Sequence, residues 1–163
     1  SNFASSRVFC YVTVWWTYLM QVLIGSNKDK IGNIVVNWYA YQLQLTVSDL
    51  LDNPFSIIGW TDGNKIVAAS LLMGYNGHVV EAHFYGPGKF NRQVISDTFK
   101  FVFYGLKCKT LITKVKIDNN VKKIVPRLGF KYRAVIPNYY GESSKDAAIL
   151  YTIQYDSAKK WIR

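Results

Sequence analysis

FSIIGWTDGNKIVAASLLMGYNGHVVEAHFYGPGK, running from Phe55 to Lys89, decides the fold class of this 163-residue chain. Phe55 to Trp60 is a short apolar strand, and Thr61-Asp62-Gly63-Asn64 is a strong hairpin turn leading into a second apolar strand from Lys65 to Met73. Gly74-Tyr75-Asn76-Gly77 makes the next turn, and His78 to Tyr85 forms a third strand. Three strands joined by such short turns must be antiparallel, because a parallel return needs a crossover of a dozen or more residues.

Beyond Tyr85 the periodicity changes. Gly86-Pro87-Gly88 breaks the strand, after which Val94, Ile95, Thr98, Phe99, Val102 and Phe103 recur at helical spacing as far as Gly105. Leu111 to Ile117 alternates, with Lys114 and Lys116 on one side, and reads as a strand with an exposed edge or face. Asn119 or Asn120 caps a further helix through Val121, Ile124, Val125 and Leu128, ending at Gly129, where a positive backbone angle is easily accommodated. Pro126 makes that helix short or distorted. Phe130 to Ile136 returns as a strand, Pro137 to Lys145 is a loop, and Ala147 to Tyr155 is a terminal strand. The expectation is an α/β fold with a mixed central sheet and an antiparallel N-terminal meander.

Toward the N-terminus the signals weaken. Val8 to Gly25, VFCYVTVWWTYLMQVLIG, is 18 residues without a charge and so touches the length of a membrane span. Its polar Thr13, Thr17 and Gln21 and its wealth of β-branched and aromatic residues favour a strand over 8–14 and a helix over 15–24. Asn33 to Asp52 is ambiguous: its side chains favour strand, whereas its length and its ending TVSDLLDNP favour helix. One domain over 1–163 is expected, with 1–54 its least defined part.

Only 18% of the chain is charged while half is hydrophobic, which excludes general disorder. The net charge of +10 is uneven, since residues 1–82 hold four Lys/Arg against five Asp/Glu and residues 83–163 hold sixteen against five. The second half is where an anion should bind, either a phosphate-rich small molecule or nucleic acid. The basic residues are scattered over helices, strands and tail, and no recognition motif for nucleic acid accompanies them. Cys10 and Cys108 make no C-x-x-C pair, and with two histidines they offer no zinc pattern. Free buried thiols in a reducing cytoplasm suit this usage, and no metal is expected.

The stretch Val115 to Val135, VKIDNNVKKIVPRLGFKYRAV, with its Asn-rich start, short helix and Leu128-Gly129-Phe130 ending, resembles the second conserved helix and following strand of the Gcn5-related N-acetyltransferase superfamily. AAILYTIQYD, Ala147 to Asp156, looks like that family's last strand, and the resemblance spans residues 55–155. Small, aromatic phage-encoded members, including the acetyltransferase-like internal virion proteins of short-tailed phages, are similar. The resemblance implies an acyl-CoA N-acyltransferase fold whose strand at 78–85 splays from the strand at 111–117 to admit a pantetheine arm. It implies acetyl-CoA as cosubstrate, contacted by Phe84, Tyr85, Gly86, Gly88, Lys89, Phe90, Asn91, Arg92 and Asn119. Independently of the family, amides at a helix N-terminus beside flexible glycines attract phosphate oxygens.

Glu81 and His83 share one face of their strand by the two-residue period and are the candidate general bases. Each has a plainer reading, as a charge paired with a lysine and as a hydrogen-bonded histidine at the edge of the core. Two departures stand out. The family's glycine-loop spacing is absent from Gly86-Pro87-Gly88, and Val125 occupies the place where many members carry a tyrosine acid. Tyr132, Tyr139, Tyr140 and Tyr151 are the available substitutes. The expected activity is N-acetylation of an unidentified amine on a small molecule or protein, in the cytoplasm, or in a host cytoplasm or virion for a phage protein. A homodimer is a candidate assembly. The competing readings are a catalytically degenerate binding or virion-associated protein and a basic nucleic-acid-binding protein.

Overall fold

A computed structural model describes residues 19–163. The elements run β1 (Gln21–Ser26), α1 (Lys30–Leu43), α2 (Val47–Leu51), β2 (Phe55–Asp62), β3 (Lys65–Met73) and β4 (Val79–Tyr85). They continue with α3 (Arg92–Lys100), prolonged by a π-helical turn (Phe101–Gly105), β5 (Thr110–Lys116), β6 (Lys131–Ile136), β7 (Ala148–Gln154) and α4 (Tyr155–Ala158). One sheet of seven strands in the order β1-β2-β3-β4-β5-β7-β6 carries them all, antiparallel except for β4 beside β5. The α/β class and the antiparallel meander agree with the sequence.

Two local expectations, at Gln21–Ser26 and at the end of the last strand, need correction, and two others are made definite. Gln21–Ser26 is a strand paired along its whole length with β2, not the end of a helix. The rest of the helix expected over 15–24, and the strand expected over 8–14, lie outside the described residues apart from Leu19 and Met20. The ambiguous segment is helical: Asp29 caps α1 by accepting from the Gly32 amide at 2.7 Å, and Gln44 closes it in the left-handed conformation. The helix before Gly129 is two 3₁₀ turns, Asn120–Lys123 and Val125–Leu128, because Pro126 has no amide to continue an α-helix. Gly129 ends them at φ 106°, where a side chain would be strained. Finally, the last strand stops at Gln154, and Tyr155 already begins α4.

The meander's alternation supplies a core on each face of the sheet. Phe55, Ile57, Ala69 and Leu71 point to one face, where Val35, Val36 and Tyr39 of α1 cover them. Gly59 lets that helix come close, since a Cβ there would lie 2.9 Å from Val35 Cγ1. Ile58, Trp60, Leu72 and Val80 point to the other face and meet Val94, Phe99 and Val102 of the α3 segment, together with Leu111, Val125 and Ile153. Trp60 is completely buried, and its indole N–H donates to Asp97 Oδ2 on α3 at 2.9 Å. Each fully buried Ile or Leu adds roughly 1.5–3 kcal/mol, so these two layers fix the orientation of the sheet that carries the site.

No helix among the described residues is long and apolar enough to cross a membrane. No group of three or more metal-ligating side chains occurs among the described residues. Cys108 is buried, and burial pushes its thiol above the ordinary range, as befits an inert core group. Cys10 lies outside the described residues.

Candidate active site

The site begins where two strands part. β4 stays paired with β3 as far as Ala69↔Tyr85, but its parallel pairing with β5 covers only Val79↔Thr110, Val80↔Leu111 and Glu81↔Ile112. Beyond that point β5 keeps only its other neighbour, β7, with which it pairs along its whole length from Thr110↔Gln154 to Lys116↔Ala148. A wedge therefore opens between Ala82–Tyr85 on one side and the end of β5 on the other. At its vertex the Thr113 hydroxyl donates to the Ala82 carbonyl at 3.4 Å, so that carbonyl faces the wedge. N–H and C=O groups alternate between the two edges of a strand, so the Phe84 N–H and C=O face the wedge as well, with no strand to receive them.

Glu81 and His83 come together on the α1 face at this vertex, as their spacing requires. His83 Nε2 lies 3.4 Å from Glu81 Oε1. Sequence reasoning did not find their third partner. If the parallel register continued, Lys114 would sit opposite His83, and instead its ammonium reaches back to Glu81, 3.0 Å from Oε1 and 3.2 Å from Oε2. Lys114 also donates to Tyr139 Oη at 3.0 Å and lies 4.7 Å from the centre of that ring. Tyr139 and Tyr140 pack edge to face at 4.8 Å. β5 is thus an interior strand and Lys114 is a face residue only 17% exposed, not an edge lysine.

Burial shapes the electrostatics of this cluster. Desolvation holds the His83 imidazole below its ordinary value and Lys114 adds to that, against the opposing pull of Glu81, so His83 is neutral at pH 7. Desolvation alone would lower Lys114, but its hydrogen bonds to Tyr139 and Glu81 and the Glu81 charge outweigh that effect and keep it firmly protonated. Burial pushes the Tyr39 hydroxyl up to about 12, with Tyr140 adding to the shift. Glu81 Oε1 is buried between the Lys114 ammonium at 3.0 Å and His83 Nε2 at 3.4 Å.

The other expected residues disperse around the wedge. Phe84 turns to the α3 face, 6.3 Å from Trp60 and 5.3 Å from Phe90, while Tyr85 turns to the α1 face beside Trp38 at 6.1 Å. Gly86 to Lys89 form a turn closed by the Lys89 amide on the Gly86 carbonyl at 2.9 Å, with Gly88 at φ 69°. At Gly86 an added Cβ would lie 2.5 Å from Ala68 Cβ, so glycine is required there for packing. Asn91 caps α3 by accepting from the Val94 amide at 3.0 Å, which leaves the Arg92 and Gln93 amides without intrahelical partners. The Arg92 guanidinium stacks over Trp161 at 5.1 Å. Asn119 uses its side chain to accept from the Val121 amide at 3.0 Å.

Of the candidate tyrosines, Tyr139 and Tyr140 join the Glu81 cluster, whereas Tyr132 and Tyr151 pack on each other at 6.5 Å and Tyr151 donates to the Lys122 carbonyl. Val125 is 3% exposed within the α3-side core, so nothing at that position reaches the wedge.

The described residues thus form a seven-stranded mixed sheet whose single parallel pair splays beside a strand glutamate. No protein-family model and no curated protein matches the sequence. Solved structures do match. Mutant forms of the spermidine/spermine N-acetyltransferase SpeG from Vibrio cholerae align over 86% of this chain and 98% of theirs, at TM-score 0.65 and 13% identity. A probable acetyltransferase from Staphylococcus epidermidis aligns over 83% of this chain and 99% of its own, at 0.63 and 15%. YncA, a putative acetyltransferase from Salmonella typhimurium solved with its cofactor acetyl-CoA, aligns over 83% and 93%, at 0.58 and 12%. The fold is that of the Gcn5-related N-acetyltransferases.

Proposed function

We propose that this protein is an acetyl-CoA-dependent N-acetyltransferase acting on a primary amine. The observation that carries the reading is the wedge between β4 and β5, with the unpaired backbone edge at Phe84 on one flank and Glu81 at its vertex. The residues present suit a coenzyme A thioester. The Phe84 edge offers a donor and an acceptor to a pantetheine amide, the Arg92 and Gln93 amides offer donors to phosphate oxygens, and Lys89 adds charge. When bound, acetyl-CoA supplies the activated acyl group. Glu81, helped by neutral His83, takes the proton from the attacking amine, which must be neutral to act as a nucleophile. The neighbouring solved acetyltransferase carrying acetyl-CoA supports the choice of cosubstrate.

A second reading, a catalytically degenerate member that binds without turnover, is favoured by two observations. Glu81 is engaged by Lys114, and Val125 is sealed in the core. Calorimetry with acetyl-CoA, CoA and 3′-dephospho-CoA tests the common part of both readings. Micromolar binding of the first two is expected, and no binding at millimolar ligand by the folded protein refutes the acyl-CoA assignment. Thiol release in the presence of amines then separates the enzyme from the degenerate binder.

A further inference from the structure

We infer that the amine acceptor carries an anionic group, a carboxylate or a phosphate ester, and that Lys114 is the residue that recognises it. This rests on the transferase reading above and names its substrate class.

The argument starts from the charges at the vertex. Glu81 is the one carboxylate among the described residues that contacts this cluster, and Lys114 answers its charge from 3.0 Å. The nearest acidic groups along the same strand face are already engaged: Asp146 and Asp118 lie 3.5 Å and 3.9 Å from Lys116 Nζ, and the Asp146 carboxylate also receives the Ser143 amide at 2.8 Å. A polycationic acceptor such as a polyamine would bring its ammonium groups to a site whose single negative charge is spent, beside a fixed ammonium and in a half-molecule with sixteen basic residues against five acidic ones.

The hydrogen-bonding inventory points the same way. An ammonium has three N–H donors, and Lys114 directs two of them, to Glu81 Oε2 at 3.2 Å and Tyr139 Oη at 3.0 Å. The ammonium sits against both carboxylate oxygens, 3.0 Å from Oε1 and 3.2 Å from Oε2, so a ligand oxygen would take over a donor now given to Glu81. Glu81 Oε1, buried between that ammonium and His83 Nε2 at 3.4 Å, is then released to accept the N–H of an incoming amine. An amine with an anionic group a few bonds away answers both groups. It gives Glu81 an N–H to accept and gives Lys114 a second anion, which loosens its hold on Glu81 and lets that carboxylate take the proton. The Tyr139 and Tyr140 rings flank the place with apolar surface and hydroxyls.

The test is a panel of matched acceptors with acetyl-CoA. Phenylalanine is set against phenethylamine, glucosamine 6-phosphate against glucosamine, and spermidine serves as the polycation. The anionic member of at least one pair is expected to show kcat/KM about tenfold or more above its uncharged partner. Which pair responds distinguishes carboxylate from phosphate. Lys114→Met is expected to abolish the preference chiefly through KM, with calorimetric affinity for CoA unchanged, and Lys114→Arg to retain it. Equal or better use of the uncharged amines or of spermidine overturns the inference while leaving the transferase reading intact. If no acceptor is turned over, the same pairs are compared as ligands of the CoA complex by NMR titration. Absence of a preference for the anionic member, or its survival in Lys114→Met, likewise overturns the inference. Failure to bind CoA at all sinks the underlying reading instead.

Discussion

Replacing Glu81 by Gln keeps the shape of the side chain and removes its charge, so stability and chemistry should respond separately. The stability effect follows from Lys114, which loses its counter-ion while only 17% exposed. Breaking a fully buried ion pair costs about 3–5 kcal/mol, and an exposed pair contributes about 0–1 kcal/mol. A pair one-fifth exposed, whose lysine keeps Tyr139, falls between them, at about 2 kcal/mol. For a domain of this size that is a fall in Tm of about 4–8 °C, read by scanning calorimetry. The chemical effect expected from the proposed role is the loss of a general base, about 100-fold to 10,000-fold in kcat/KM, followed by the appearance of free CoA thiol with a chromogenic disulfide reagent. Affinity for CoA should not change, because Glu81 is at the vertex and the amides proposed to bind phosphate are at the N-terminus of α3. A variant that melts lower but transfers acetyl groups as fast as the parent would reduce Glu81 to a structural ion pair and refute the proposed base.

Other perturbations test the frame around that pair. Gly129→Ala forces a side chain onto φ 106° with its Cβ 3.3 Å from Ser157 Cβ, and should lower the unfolding free energy by about 1–2 kcal/mol in a urea titration. Trp60→Phe removes the 2.9 Å bond to Asp97 and part of a fully buried ring. It should cost about 2–4 kcal/mol by the same measurement, and a change below about 0.5 kcal/mol would show that Asp97 has another partner. His83 has a folded pKa below its unfolded 6.5, so the unfolded chain takes up the proton first. Its contribution to stability is complete above pH 6.5 and is lost as pH falls through the lower folded value. His83→Asn should therefore flatten the dependence of the urea midpoint on pH between 7 and 5.

The meander was legible because its determinants are local: Asp62-Gly63-Asn64 and the Gly74–Gly77 turn set the hairpins, and the apolar alternation between them set both faces. α1 was not, although Asp29 caps it, because a segment with one lysine and many β-branched and aromatic residues satisfies strand and helix patterns alike when both of its faces are apolar. β1 was misread because an edge strand pairs on one side only, and its assignment depends on β2, whose paired residues lie 30 to 40 positions away. At the site, the spacing of Glu81 and His83 placed them together. Lys114 could not be joined to them from the sequence, since the contact depends on the parallel register Glu81↔Ile112 and on its ending there. The alternation that set Lys114 and Lys116 to one side was the only signal, and it pointed as readily to a solvated edge.

The departure at Val125 bears less on activity than the pairing of Glu81 does. A thiol ionises near pH 8.5, so the CoA thiolate leaves near neutral pH without a partner to protonate it, and a missing acid slows the reaction without forbidding it. An alkyl ammonium ionises near pH 10.4, so at pH 7 only about one molecule in 2,500 is a nucleophile, and removing its proton is the harder demand. Placing a tyrosine at this position should therefore not raise the rate. Val125→Tyr, entering a core position 3% exposed, should instead destabilise the protein by about 1–3 kcal/mol through overpacking, with kcat/KM no higher than in the parent. A marked gain in rate from Val125→Tyr would mean that leaving-group protonation limits the reaction, and would shift the weight of the mechanism from the Glu81 face of the sheet to the α3 face.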